Sequence, residues 1–200
     1  MSQARLTTLD TLKELLKDVI PAGYTGDDAN LDIFINITSS AIESYLDRGL
    51  AAADYDLRLQ PTYRDILRLP HYPVTAVTLV RHGEEVLGTD DYRLEDGGAG
   101  GVLVLDRGVW HLPVRVIFEA GYVLPGETGR DLPFDIEYAC LLWCQQMYSL
   151  GPRVGVKQER IDDISVSYES PFSLYVSTSG RPYPAPPAIM ALLNPYRRLL

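Results

Sequence analysis

Apolar side chains recur at Leu9, Leu12, Leu15, Leu16, Val19 and Ile20. Three- and four-residue spacing marks one face of a helix, here over Thr8–Ile20. Thr11-x-x-Glu14 resembles a capping box, and Pro21 with Gly23 ends the run. A second helix is predicted after Asp27-Asp28, whose carboxylates suit the positive end of a helix dipole. It runs through Leu31, Phe34, Ile35, Ala41, Ile42 and Tyr45 to Arg48-Gly49. Its opening, Leu31–Ile37, alternates as a strand would. The apolar face continues for about twenty residues, longer than an ordinary strand, and that length decides for helix.

The period then changes. Tyr63–Leu69, Val74–Val80, Tyr92–Leu94, Val102–Leu105 and Val114–Ala120 are short runs rich in β-branched residues. Turn signals at His82-Gly83, Asp96–Gly101 and Asp106-Arg107-Gly108 separate them, predicting an antiparallel meander or small barrel. Pro70 and Pro73 flank the approach to the second run and place it at a sheet edge or corner. Gly97–Gly101 precedes a strand, so it reads as a hairpin or bulge; a phosphate-cradling loop would open a helix. Helix returns at Pro133 and lasts to Leu150, where Gly151-Pro152 stops it. Arg153–Ala185 has no helical period, though Ile164–Tyr168 alternates like a strand. Pro186-Pro187 opens a last short helix, interrupted at Asn194-Pro195.

These elements predict an α+β chain: a small bundle of about four helices, an antiparallel β-rich insertion, and a long extended arm before the C-terminal helix. The expected boundaries are a helical core of residues 1–55 and 131–200, with the arm at 153–185, and an insertion at 56–130.

Composition narrows the function. The 200 residues are 46% hydrophobic and 22% charged, globular values that exclude wholesale disorder. The longest strictly apolar run, Ala139–Cys144, is far short of the roughly 20 residues that span a bilayer. Met1–Leu9 has no apolar signal-peptide core, so the chain reads as cytosolic. Net charge is −9, and no basic stripe suited to a dedicated DNA binder occurs.

Catalytic and metal motifs are missing. His71, His82 and His111 have no zinc-ligand spacing, and no Gly-x-Ser-x-Gly elbow occurs. Cys140 and Cys144 lie four apart in the most apolar stretch and read as two buried small hydrophobes. The acidic pairs Asp27-Asp28, Asp90-Asp91 and Asp162-Asp163 suit caps and turns better than a cation loop. The sequon Asn36-Ile37-Thr38 falls mid-helix. No cofactor is expected.

Aromatic chemistry outside the core stands out. Tyrosine outnumbers phenylalanine 13 to 4, and Tyr168, Phe172, Tyr175 and Tyr183 fall in or beside the arm. An arm both irregular and aromatic favours ordering against another chain over folding back on its own sheet. Two other functions compete. One is a carbohydrate- or ligand-binding module, using Tyr92, Trp110 and Tyr122 of the insertion; the other is a metal-dependent hydrolase using the paired carboxylates.

Five motifs in order resemble the head–tail connector (head-completion, or adaptor) proteins of long-tailed bacteriophages. Leu12–Leu16, with Asp27–Leu31 leading to Ala41–Leu46, is similar to the first two helices of that family. Leu69–Val74 and the sheet to Phe118–Tyr122 resemble the β insert of one branch. Pro133–Leu150 with Val156–Tyr168 is similar to the third helix and arm, and Leu193–Arg198 to the family's C-terminal Tyr-Arg-Arg. The chain departs from the pattern at Asp162-Asp163, where glycine is usual, and in its long, proline-rich Ser170–Pro187 stretch.

The resemblance implies a structural virion protein at the head–tail junction, assembled in the host cytoplasm and without enzymatic activity. It implies a ring of copies, dodecameric in the virion, on the portal protein, extending the DNA channel and offering a docking surface to tail-completion or stopper proteins. DNA passes without specific binding, and no membrane is involved. The implied contacts to portal and neighbouring subunits are Tyr168, Phe172, Tyr175, Tyr183, Tyr196, Arg197 and Arg198, the basic end docking on an acidic portal surface.

Overall fold

The computed structural model describes residues 4–21, 23–150, 158–161, 164–167, 175–176, 182–183 and 186–197. The chain is α+β and forms two compact units, Met1–Asp47 with Leu124–Leu200, and Arg48–Val123.

The first unit holds helices α1 (Leu9–Leu15), α2 (Asp28–Leu46), α3 (Phe134–Leu150) and α4 (Pro187–Leu193). The cap of α1 is Thr8, whose hydroxyl accepts from the Thr11 amide at 3.2 Å; the expected box starting at Thr11 is not formed. Thr8 has extended backbone and so occupies the true N-cap position. Regular helix stops at Leu15, yet turns bonded to the Leu16 carbonyl carry the chain on, which keeps Leu16 and Ile20 buried. The apolar period therefore outlasts the helix.

Helix α2 ends where Asp47 turns left-handed (φ 55°), a conformation aspartate tolerates better than most residues. It packs on α3 through small polar side chains. Thr38 donates to the Phe34 carbonyl at 2.8 Å, and its oxygen lies 3.2 Å from the sulfurs of both Cys140 and Cys144. Next to it, the Ser39 hydroxyl accepts from the Leu6 amide at 3.1 Å, tying the N-terminal segment to the helix. Thr38 is fully buried.

The second unit is mainly β, with one 3-10 turn at Glu95–Gly98. Strands β1 (Ala53–Leu59), β7 (Val114–Ala120), β3 (Val74–His82) and β4 (Glu85–Val86) make one antiparallel sheet in that order; β2 (Ile66–Arg68), β6 (Val102–Leu105) and β5 (Tyr92–Leu94) make another. Only β3–β4 and β5–β6 are consecutive neighbours, so the connectivity departs from a simple meander. The reason lies in β7. Its Val114, Val116, Phe118 and Ala120 are all buried and need cover from both sides, and β1 and β3 supply it. Together with Leu67, Leu69, Leu103 and Trp110 they form one core. Strand β1 is absent from the sequence expectation: Ala-Asp-Tyr-Asp-Leu-Arg-Leu turns charge outward at every second residue and only half-buries Tyr55, Leu57 and Leu59.

The glycine cluster sits between β5 and β6, as a hairpin requires. Gly98 adopts φ 91°, and a Cβ there would lie 2.1 Å from the Val74 carbonyl oxygen, so no other residue fits. Within 153–185 the described residues pair as β8 (Gln158–Ile161) with β9 (Ile164–Ser167), and β10 (Tyr175–Val176) with β11 (Pro182–Tyr183). Helix α4 gives way at Asn194 to a 3-10 turn ending at Tyr196.

Candidate functional site

Of the expected contact residues, Tyr175, Tyr183, Tyr196 and Arg197 fall among those described. Tyr168, Phe172 and Arg198 lie outside the described residues. Tyr175 stands opposite Tyr183 in the β10–β11 ladder. Tyr196 and Arg197 come after α4, whose buried Ile189, Met190 and Leu193 anchor it in the helical unit. Two tyrosines pin the turn beyond that helix. The Tyr196 hydroxyl donates to the Asp135 carboxylate at 3.1 Å, and that of Tyr45 donates to the Asn194 amide oxygen at 2.6 Å. Arg197 is exposed, its guanidinium 5.2 Å from the centre of the Tyr45 ring. A cation is thus presented at a fixed place while its charge stays in water.

The helical unit also presents apolar surface that sequence reading missed. Phe134 is 76% exposed at the start of α3, with the Arg130 guanidinium 4.1 Å from its ring centre, and Tyr138 one turn later is 49% exposed. With Thr11 and Leu141 they line a groove of about 360 Å³. Arg130 is held from behind by Glu137, a buried carboxylate that also accepts from the Thr7 hydroxyl at 3.2 Å. On α2, Asn30, Ile33, Ile37, Ser40 and Ser44 are exposed along one stripe without a charge. The signal was present in the sequence: a 19-residue helix with apolar residues off its core face.

Several of the groups that could do chemistry hold structural contacts. A cleft of about 760 Å³ lies in the β unit beside His82, His111, Glu85, Asp90, Asp91 and Asp106. His82 packs edge-on against Trp110 and His111, and its Nε2 accepts from the Leu112 amide at 3.0 Å. Burial, reinforced by His111, holds its pKa below the ordinary histidine value. Asp91 accepts from the Gly88 amide at 2.7 Å, and Asp106 pairs with Arg93. Of the other acidic pairs, Asp27 accepts from the Tyr148 hydroxyl at 2.8 Å and Asp28 pairs with Lys13 at 2.6 Å, while Asp162-Asp163 lies outside the described residues. Hydrogen bonding to Cys140 and burial push the Cys144 thiol well above its usual range. Among the described residues no three His, Cys, Asp or Glu side chains converge as metal ligands.

An aromatic sugar platform is not assembled. Trp110 is wholly buried, its indole N–H donating to the Asp65 carbonyl at 2.8 Å, and Tyr92 packs on the same core. Tyr122 is half-buried, with the Arg48 guanidinium 5.9 Å from its ring centre.

No protein-family model matches the chain, and neither does any curated protein. Solved structures do. A chain in the neck of an empty gene transfer agent (GTA) particle computed with C6 symmetry aligns with TM-score 0.59 and 20% identity, over 100% of this chain and 95% of that one. A chain in the virion of a native GTA particle gives 0.58 and 21%, over 96% and 90%. Another, in the neck of a native GTA particle computed with C12 symmetry, gives 0.54 and 21% over the same shares. Across both of its units, then, this chain has the fold of a GTA neck chain.

Proposed function

We propose that the chain is a structural, non-enzymatic connector subunit at the neck of a phage-like particle. The observation that carries this reading is the full-length likeness in fold to chains from GTA necks and virions. In this reading copies close into a ring on the portal protein, extend the DNA channel, and offer their lower surface to a stopper or tail-completion protein. Closed rings are built from heterologous contacts, one face of a subunit meeting a different face of the next. The uncharged α2 stripe and the Phe134–Tyr138 groove are two such faces, each too apolar to be idle in a chain of net charge −9. That acidity also suits a channel wall, since it repels passing phosphates.

The arm residues Tyr168, Phe172, Tyr175 and Tyr183 are assigned to contacts with neighbouring copies or the portal. Tyr196, Arg197 and Arg198 are assigned to the portal itself. The test is attachment to portal-bearing heads by the variant R197E/R198E. Arg197 is exposed and contributes only an open cation–π contact of about 0.5–1 kcal/mol, so the subunit should stay folded while attachment fails. Attachment at the wild-type level would remove the portal assignment. A wild-type chain absent from assembled particles would remove the connector reading itself.

A further inference from the structure

The outward face of the four-stranded sheet carries a row of like charges. In the pairing register Arg58 of β1 lies opposite Arg115 of β7, which lies opposite Arg81 of β3. Neighbouring strands are only about 4.8 Å apart, and like charges directly opposite destabilise a sheet. A single carboxylate answers them: Asp56 takes two bonds from Arg115, at 2.9 and 2.6 Å. Arg58 and Arg81 have no carboxylate within ion-pair distance among the described residues, and the Nε of Arg81 is buried without a partner.

Two residues along from this row the same face runs Asp56–Ile117–Leu79, and two further it runs Asp54–Glu119. Both middle apolar side chains are half-buried, and Asp54 and Glu119 are exposed. The face is therefore positive at one end and negative at the other, with Ile117 and Leu79 between them and Asp56 at the edge of that middle row.

We infer that this face docks on the same face of a second copy of the chain. Consider a two-fold axis in the plane of the sheet, across its strands and over the Ile117 row. It lays β1 on β1 and β7 on β7 with their directions reversed. Arg58 then meets Asp54 of the second copy, Arg115 meets Glu119, and each pair occurs twice because the contact is isologous. Ile117 and Leu79 meet at the centre. Asp56 faces its own equivalent but keeps its charge on Arg115. Aligned stacking of this kind is how two sheets ordinarily pack. Ring contacts are heterologous, so this surface goes beyond the connector reading: it pairs subunits outside a ring, in a dimer that must part before a ring closes.

Sedimentation of the full chain over micromolar concentrations, at about 0.05 and 0.5 M NaCl, tests it. The wild type should stop at a dimer and dissociate more readily in high salt. R58D alone and D54R alone, each folded by circular dichroism, should weaken dimerisation about tenfold or more. Both the double variant R58D/D54R and a one-to-one mixture of the single variants should recover it, since either restores opposite charges across the axis. A wild type that stays monomeric, a dimer indifferent to both single variants, or single-variant defects that neither swap repairs would each overturn the inference. None of these outcomes bears on head attachment through Arg197 and Arg198, so the connector reading stands or falls separately.

Discussion

The two tryptophans, one in each unit, should respond oppositely to the same substitution. Trp143 on α3 is 3% exposed and its indole N–H is buried without an acceptor among the described residues; Trp110 is fully buried but donates to the Asp65 carbonyl at 2.8 Å. Replacing either by phenylalanine empties roughly 40 Å³, which costs about 1 kcal/mol at about 24 cal/mol per Å³. In W143F that cost is offset, because an unsatisfied buried donor worth about 1–3 kcal/mol is removed with it. In W110F a hydrogen bond of about 0.5–1.5 kcal/mol is lost as well. The Asp65 oxygen does keep its bond from the Leu105 amide, also at 2.8 Å. W143F should therefore be neutral to mildly stabilising, while W110F should cost about 1.5–2.5 kcal/mol. Urea unfolding followed by far-UV circular dichroism measures both, and the remaining tryptophan reports on the untouched unit. A W143F cost equal to that of W110F would refute the assignment of their hydrogen bonds. A loss of sugar binding in W110F without a loss of stability would revive the aromatic platform.

Buried charge supports two further tests. R130A should cost more than E137A, about 3–5 against about 1–3 kcal/mol. The first strands a carboxylate 8% exposed with only the Thr7 hydroxyl; the second leaves a guanidinium that reaches water and the Phe134 ring. Thermal melts of the two variants and the double variant check the order, and a costlier E137A would contradict it. Stability should also fall with acid through histidine. Burial depresses the folded pKa of His82, with help from His111, and that of His71, with help from Arg48, below the ordinary histidine value. The neutral forms are favoured by folding, so their contribution is complete above about pH 6.5 and is lost as pH falls from there through the lower folded values. H82Q, whose amide oxygen can still accept from Leu112, should flatten the slope of unfolding free energy between about pH 7 and pH 5. An unchanged slope would exclude His82 as a contributor.

Helix α2 was legible because one buried face, Leu31, Ile35, Ile42, Tyr45 and Leu46, repeats over its length. The hairpin at Gly97–Gly101 and the break at Asn194-Pro195 were legible because glycine and proline act on the backbone locally. Strand β1 was not, since its inward residues are only half-buried and its outward ones charged, so neither hydrophobicity nor β-propensity marks it. The Thr8 cap was lost to a better-looking motif three residues later, because a cap depends on where the helix starts and not on the motif alone. Of the proposed contact residues, the tyrosine-rich arm and the basic end stood out by composition. The exposure of Phe134 did not, because an aromatic residue at a helix start reads equally well as core.

Everything that could make this chain an interface lies across the direction in which a sequence is read. Arg58, Arg81 and Arg115 are separated by 23 and 34 residues and look like scattered surface charges until β7 is placed between β1 and β3. Ile33 and Ile37 look like core until Thr38 and Ser39 take the inward side of α2 against the two cysteines. In both cases a small or charged residue holds a position where the pattern expects the reverse, and the displaced group is exposed. A face made of such residues is fixed by strand order and helix rotation, which is why neither the arginine row nor the uncharged stripe leaves a local motif in the sequence.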